Sequence, residues 1–316
     1  MPKEAAALQV PRQRSLLATL AGLAAILLWS TTVTLGRSVT EQLGPELAGA
    51  MVHIVASALL VPVVLLNSRR AARSKGLSWR YVVGCGSLFV INLVTVFLAL
   101  GGARDRSQTV EVGLVNYLWP ACTVLLSLWL LGNRSTWAIV PGTALAVFGV
   151  TLVLTGGKGL SWASLRANLA DNPSVYLLGL AAAVSWGFYS NLSRAWGSGD
   201  SARATLVFNL ATAAVFVLLF GLRSGGAVAW RLPTLNVMLM GASTAAAYSL
   251  WDVSMRNGNL NLVVAASYLT PFFSTLVSSL FLRVVLTPSV WIGCGLIIVG
   301  SFWSWRAILP PDDARG

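Results

Sequence analysis

Asn116-Tyr117-Leu118-Trp119-Pro120 and, 151 residues further on, Ser267-Tyr268-Leu269-Thr270-Pro271 carry one pattern: a polar residue, a tyrosine, a leucine and a proline inside an apolar run. The offset of 151 continues downstream, where Thr136 falls on Thr287, Gly142 on Gly293 and Gly149 on Gly300. Further upstream, an offset of 157 pairs Leu23-Ala24-Ala25, Trp29, Leu35 and Arg37 with Leu180-Ala181-Ala182, Trp186, Leu192 and Arg194. Apolar helices resemble one another by composition, but a shared Tyr-x-x-Pro followed by glycines in phase is more than composition. The expectation is a duplicated chain, with one repeat over 1–157 and the other over 158–316.

Composition says what is duplicated. Of 316 residues, 56% are hydrophobic and 10% charged, with a mean hydropathy of +0.74. Soluble domains carry about 25% charge, so this chain is neither a soluble enzyme nor a nucleic-acid-binding module. Outer-membrane barrels alternate apolar and polar residues, and these long apolar runs do not. An all-α polytopic membrane protein remains. Ten candidate spans follow: 16–36, 47–67, 81–101, 110–131, 136–155, 174–195, 203–222, 234–255, 260–282 and 287–308. Five spans per repeat is an odd number, so the second repeat enters the membrane from the opposite side. The expected fold is ten transmembrane helices in a five-plus-five inverted-topology repeat, an arrangement that gives carriers two related conformations.

The net charge of +12 is read as topological. Fourteen Lys and Arg fall on the side of the termini and eight on the other, with Arg69, Arg70, Arg73, Lys75 and Arg80 as the strongest cluster. The positive-inside rule places both termini in the cytoplasm. The expected location is the bacterial inner membrane. The longest connection on the outer side, 156–173, is expected to be a loop dividing the halves. Cys85, Cys122 and Cys294 are scattered in apolar runs without metal-ligand spacing, so no metal or cofactor is expected.

Ten spans, an inverted repeat and the Tyr/Pro motif of the fourth and ninth spans resemble the drug/metabolite transporter superfamily, EamA type, over nearly the whole chain. The segment from Asn116 to Pro120 is similar to that of the YddG-type aromatic amino acid exporters. That resemblance implies a transporter, and it implies that Tyr117 and Trp119 face a central cavity.

The residues themselves nominate a site. Pro120 and Pro271 each remove a backbone hydrogen bond and free the carbonyl four residues earlier, at Asn116 and Ser267. Such interruptions at matching positions of two halves point to a transporter site or a hinge; a plain kink is the alternative. Asn116, Pro120, Thr123 and Ser127 lie on one helical face, as do Ser267, Pro271, Ser274 and Ser278, lining a path or packing helices. Trp29, Trp119, Trp186, Tyr117, Tyr189, Tyr248 and Tyr268 lie inside spans, where they stack on a substrate or fill a core. Trp79, Tyr81, Trp303 and Trp305 suit an interfacial belt. His53, the single histidine, is an intramembrane ionisable group, either a substrate or proton ligand or a packed neutral ring. Asn92 and Tyr248 complete the candidate substrate-binding set of Tyr117, Trp119, Trp186, His53, Asn92, Tyr248 and Asn116. Acidic residues are few and mostly peripheral: Glu111 starts the fourth span, and Asp252 lies near the inner end of the eighth, where it joins Thr95 and Ser243 as a further candidate cavity residue.

The expected function is export of amino acids, aromatic ones foremost, by alternating access. Alternatives are threonine- or homoserine-like amino acids, purines and amphipathic cations. An enzyme is not expected, since one histidine and no acidic cluster give little catalytic chemistry. The partners implied are a small-molecule substrate and the lipid bilayer, with no nucleic acid. No P-loop or ATPase subunit is implied.

Overall fold

Lipid cannot satisfy a peptide group, so a chain this apolar must close its backbone hydrogen bonds within helices. The computed structural model describes residues 12–67, 76–104, 106–155, 161–223, 234–282 and 287–309, and nearly all of them are helical. In chain order the helices are α1 (Arg12–Leu43), α2 (Pro45–Leu66), α3 (Tyr81–Gly101), α4 (Arg106–Asn116), α5 (Trp119–Leu130), α6 (Ile139–Thr155) and α7 (Trp162–Asp171). They continue as α8 (Pro173–Trp196), α9 (Ser201–Arg223), α10 (Leu235–Asn257), α11 (Leu260–Ser267), α12 (Thr270–Leu282) and α13 (Pro288–Ala307).

Among the described residues, six stretches are long and apolar enough to cross a membrane: Pro45–Leu66, Tyr81–Gly101, Glu111–Leu130, Pro173–Trp196, Ser201–Arg223 and Pro288–Ala307. Ser15–Thr31 and Ile139–Thr155 are shorter apolar helical stretches. Exposed Leu, Val, Phe and Trp side chains cover these helices, among them Leu65, Val140, Phe148 and Ile292. Facing water this surface would be costly; facing acyl chains it is the proper solvent.

Three local features depart from the expected elements. The fourth and ninth spans are each broken in two, at Tyr117–Leu118 and at Tyr268–Leu269. The connection expected as a loop over 156–173 contains α7, which Ser161 caps by accepting the Ser164 N–H at 3.2 Å. α1 runs from Arg12 to Leu43, longer than the 16–36 stretch, and reverses at Gly44, whose φ of 74° favours glycine, with Pro45 opening α2. The basic residues Arg69, Arg70, Arg73 and Lys75, and the side chain of Ser278, lie outside the described residues.

Helix directions follow from which residues meet. α6 and α13 are antiparallel and close: a Cβ on Gly149 would stand 2.6 Å from the Gly293 carbonyl, and one on Gly300 would stand 2.7 Å from that of Gly142. Gly142, Gly149, Gly293 and Gly300 thus permit close contact within the chain. A two-residue antiparallel pair, Arg134–Ser135 (β1) with Ile308–Leu309 (β2), ties the start of α6 to the end of α13. α2 and α9 are antiparallel, with Gly49 under Phe216 and His53 beside Asn209. α1 packs on α10 with Gly22 against Ser254 and Gly36 against Met240, and α3 packs on α8 with Gly84 against Trp196 and Gly102 against Val175. α5 runs parallel to α8, where Gly187 accommodates Cys122. Single hydrogen bonds across lipid-embedded helices contribute only about 0.6 kcal/mol. Small-residue contacts repeated over whole helices therefore outweigh bonds such as Asn92 Nδ2 to the Ala182 carbonyl at 2.9 Å.

Candidate functional site

The aromatic side chains converge where α1, α3, α5, α8 and α10 meet. Trp29 of α1 lies 5.5 Å from Trp186 of α8, 5.0 Å from Trp251 of α10 and 6.4 Å from Trp119 of α5, centroid to centroid. Trp119 and Trp186 meet edge to face at 6.3 Å. Phe89 of α3 and Tyr248 of α10 close the ring at 4.8 Å from each other, with Tyr248 at 5.6 Å from Trp186. Such pairs contribute about 0.5–1.5 kcal/mol each beyond the area they bury, so the cluster is well held.

The first proline break delivers Trp119 to this cluster. After Asn116 the chain makes a tight turn, with Leu118 N–H bonded to the Val115 carbonyl at 3.1 Å, and α5 starts with Trp119 and Pro120. The rest of the polar stripe packs: Thr123 donates to the Trp119 carbonyl at 2.8 Å, and Asn191 of α8 donates to the Thr123 carbonyl at 2.9 Å. Tyr117, expected in the cavity, points elsewhere. It packs with Tyr268, Phe272 and Ile297 in a second apolar cluster against α6, α12 and α13. Asn116, half-buried, ends α4. At the second break, Thr270 donates its hydroxyl to the Ser267 carbonyl at 2.7 Å. The carbonyl freed by Pro271 is thereby satisfied within the helix.

Two cavities flank the aromatic cluster. The first, about 40 Å³, is lined by Trp29, His53, Phe97, Thr244 and Tyr248 among others. The second, about 520 Å³, is lined by polar groups including Asn133, Arg194, Asn259 and Asn261, and by Leu131 and Leu260. Along α1 the order is Ser15 at the large cavity, then Trp29 at the cluster and the small cavity. Along α10 it is Thr244 and Tyr248 at the small cavity, Trp251 in the cluster, and Gly258, just past the helix end, at the large one. Leu260 and Leu131 pack against the cluster from the large-cavity side. The aromatic cluster thus stands between a polar vestibule and a small buried pocket.

His53 is 1% exposed, with Nδ1 at 2.7 Å from Asn209 Oδ1 and its ring parallel to Phe216. Asn92 is spent on the Ala182 carbonyl, bridging α3 and α8. Of the expected set, the structure brings Trp119, Trp186 and Tyr248 into one cluster, with His53 across the small cavity from Tyr248. Tyr117, Asn116 and Asn92 stand apart from it.

Glu111 and Asp252 lie near span ends, as expected, yet both are buried. Asp252 is completely buried, accepting the Tyr81 hydroxyl and pairing with Arg256 at 3.1 Å. Arg256 also donates to Ser201 Oγ at 2.9 Å and the Gly199 carbonyl at 2.8 Å. Tyr81, expected in an interfacial belt, is buried for the same reason. It belongs to the π-helical turn Tyr81–Cys85 that opens α3 and so reaches α10. Glu111 is 2% exposed and accepts from Tyr176 and Asn168. A buried carboxylate needs such partners, because an unpaired one costs several kcal/mol. Trp79 and Trp303, by contrast, are exposed as a belt requires. Trp251 was not singled out by sequence reasoning. Its spacing of three from Tyr248, which puts both on one helical face, was the signal for it.

Known proteins share this sequence and its overall fold. The EamA-like transporter family matches twice, over residues 16–155 and 173–306. A protein named aromatic amino acid exporter YddG, from Salmonella typhimurium, is 37% identical over 291 residues, covering 92% of this chain and 97% of its own. Proteins of the same name are 34% identical in Escherichia coli, over 92% of this chain and 97% of theirs, and 33% identical in Ancylobacter novellus, over 90% and 95%. A solved structure, described only as a crystal structure of a protein, superposes with a TM-score of 0.73 at 29% identity, covering 91% of this chain and 96% of its own. With two matches spanning most of its length, this chain belongs to the EamA-like transporter family.

Proposed function

We propose that this protein is a carrier of the bacterial inner membrane that exports amino acids, aromatic ones foremost. The observation that carries the reading is the cluster of Trp29, Trp119, Trp186 and Trp251, supplied by four helices and flanked by two cavities. Indole faces accept a planar ring without demanding one hydrogen-bond geometry. The relatives named as aromatic amino acid exporters support the same substrate class.

The cycle is alternating access between the halves 1–157 and 158–316, with ten membrane crossings and both termini cytoplasmic. Partner exchange between helices supports the inverted repeat. α1 on α10 has its counterpart in α8 on α3, α5 on α8 in α12 on α1, and α2 on α10 in α9 on α3. The pairs α2–α9 and α6–α13 are their own counterparts. Two family matches of similar length, one per half, support it further. In this reading the polar vestibule admits substrate, the indoles part to hold its ring, and Pro120 and Pro271 let the broken helices bend. No catalytic step is assigned. A carrier of amphipathic cations would want an available carboxylate, whereas Asp252 is held by Arg256 and Tyr81.

The test is counterflow in liposomes containing the purified protein. Labelled phenylalanine should exchange saturably, with threonine and a purine weaker. Strong threonine or purine exchange without phenylalanine would discard the substrate class.

A further inference from the structure

The small cavity beside Trp29 raises a question that its volume decides. At about 40 Å³ it holds two or three waters or one compact polar group, not an aromatic ring. Among the described residues its lining is apolar apart from His53, Thr244, Tyr248 and the indole N–H of Trp29, and contains no carboxylate. What the imidazole offers this space follows from its neighbours. Asn209 donates through Nδ2 to the Thr205 carbonyl at 2.8 Å. A carbonyl only accepts, so the amide nitrogen of Asn209 is fixed on that side and its oxygen faces His53. That oxygen also only accepts, so the hydrogen of the 2.7 Å contact lies on His53 Nδ1. Among the described residues no anion faces His53, so the resting ring is neutral; a cation entering the cavity is met instead by the ring's free lone pair and the aromatic faces. Its Nε2 then carries a lone pair, and among the described residues it has no hydrogen-bond partner.

Building on the carrier reading above, we infer that this pocket is an ammonium subsite. The lone pair of His53 Nε2 accepts an N–H from a primary ammonium group, while the Trp29 and Tyr248 rings contribute cation–π attraction. Asn209 is a positioning residue that fixes the tautomer, and Phe216 holds the imidazole plane by stacking. The ring of a bound aromatic amino acid then extends into the neighbouring indoles, since Trp29 and Tyr248 belong to both places. A free amine and an amino acid share this chemistry.

The single histidine makes the test direct. The protein is labelled with ¹⁵N-histidine, and the two ring nitrogens are followed by NMR while phenylalanine, phenethylamine or 3-phenylpropionate is added. The expected result is a proton on Nδ1 and none on Nε2. The Nε2 resonance should shift with phenylalanine and phenethylamine but not with 3-phenylpropionate, which lacks the ammonium. Asn209→Leu should mix the tautomers, and Asn209→Gln, which keeps a neutral amide acceptor, should keep the proton on Nδ1 if the leucine variant does not fold. A proton on Nε2, no shift with either amine, or an equal shift with 3-phenylpropionate would overturn the subsite. An Nε2 shift with phenethylamine in a protein that does not exchange phenylalanine would leave the subsite standing and remove the amino acid carrier reading.

Discussion

The two proline breaks began as the same pentapeptide pattern and now differ in what they do. At the second, Thr270 closes the gap left by Pro271 with its own hydroxyl, 2.7 Å from the Ser267 carbonyl. At the first, the matching position is Trp119, which has no hydroxyl to offer the Asn116 carbonyl and is sent instead into the aromatic cluster. One copy of the motif is sealed; the other trades its seal for an indole. In the proposed carrier of two repeats, both halves serve the architecture but one copy of a recognition residue suffices. Divergence at one position, residue 119 against 270, separates those demands.

The contrast predicts its largest effect at the indole. Trp119→Phe should raise the half-saturation for phenylalanine counterflow by about tenfold, as the loss of edge contacts of about 0.5–1.5 kcal/mol each implies. Thr270→Ser at the partner position should leave it unchanged. Equal losses in both variants, measured on folded protein, would erase the distinction. Next come the prolines. Pro120→Ala restores an N–H that can close on Asn116, so turnover should fall by roughly threefold at similar half-saturation, the signature of a stiffened hinge. Pro271→Ala should do less, because Thr270 already occupies the Ser267 carbonyl. Stopped-flow exchange rates of the two variants give the comparison. A smaller effect belongs to Thr270→Val, which leaves the Ser267 carbonyl without its donor. At about 0.6 kcal/mol for a hydrogen bond within the membrane, thermal unfolding in detergent should move down only slightly, with transport intact. Smallest is Tyr117→Phe: its ring packs with Tyr268 and Phe272 away from the indoles, so counterflow should stay within about twofold of the parent.

How much of this was legible in the sequence depends on whether a feature is periodic or paired. The helices were legible because apolar runs are local, and the interior prolines marked two of them for a kink or hinge, though not for a full break. Trp119, Trp186 and Tyr248 could be nominated because an aromatic residue far from a span end has no interfacial role to fill. Tyr117 misled because it stands two residues from Trp119, a step of about 200° around a helix, which places the two on opposite faces. The break at Tyr117–Leu118 does not bring them together. Asp252 could be nominated for a cavity, but the hydroxyl that holds it could not. Its partner Tyr81 is 171 residues away, brought within reach by a π-helical turn that no apolar pattern announces. His53 and Asn209 are separated by 156 residues, and only the α2–α9 packing makes them a pair.

The central claim is that the indoles between the two cavities bind the transported ring, and Trp186, which touches Trp29, Trp119, Tyr248 and Trp251, is their hub. The most direct measurement is phenylalanine counterflow by the parent and by Trp186→Phe and Trp186→Ala, in liposomes where each protein is shown to be folded and equally incorporated. The account predicts saturable exchange in the parent, a higher half-saturation with phenylalanine at position 186 and loss of exchange with alanine. Undiminished saturable exchange in the alanine variant would contradict it.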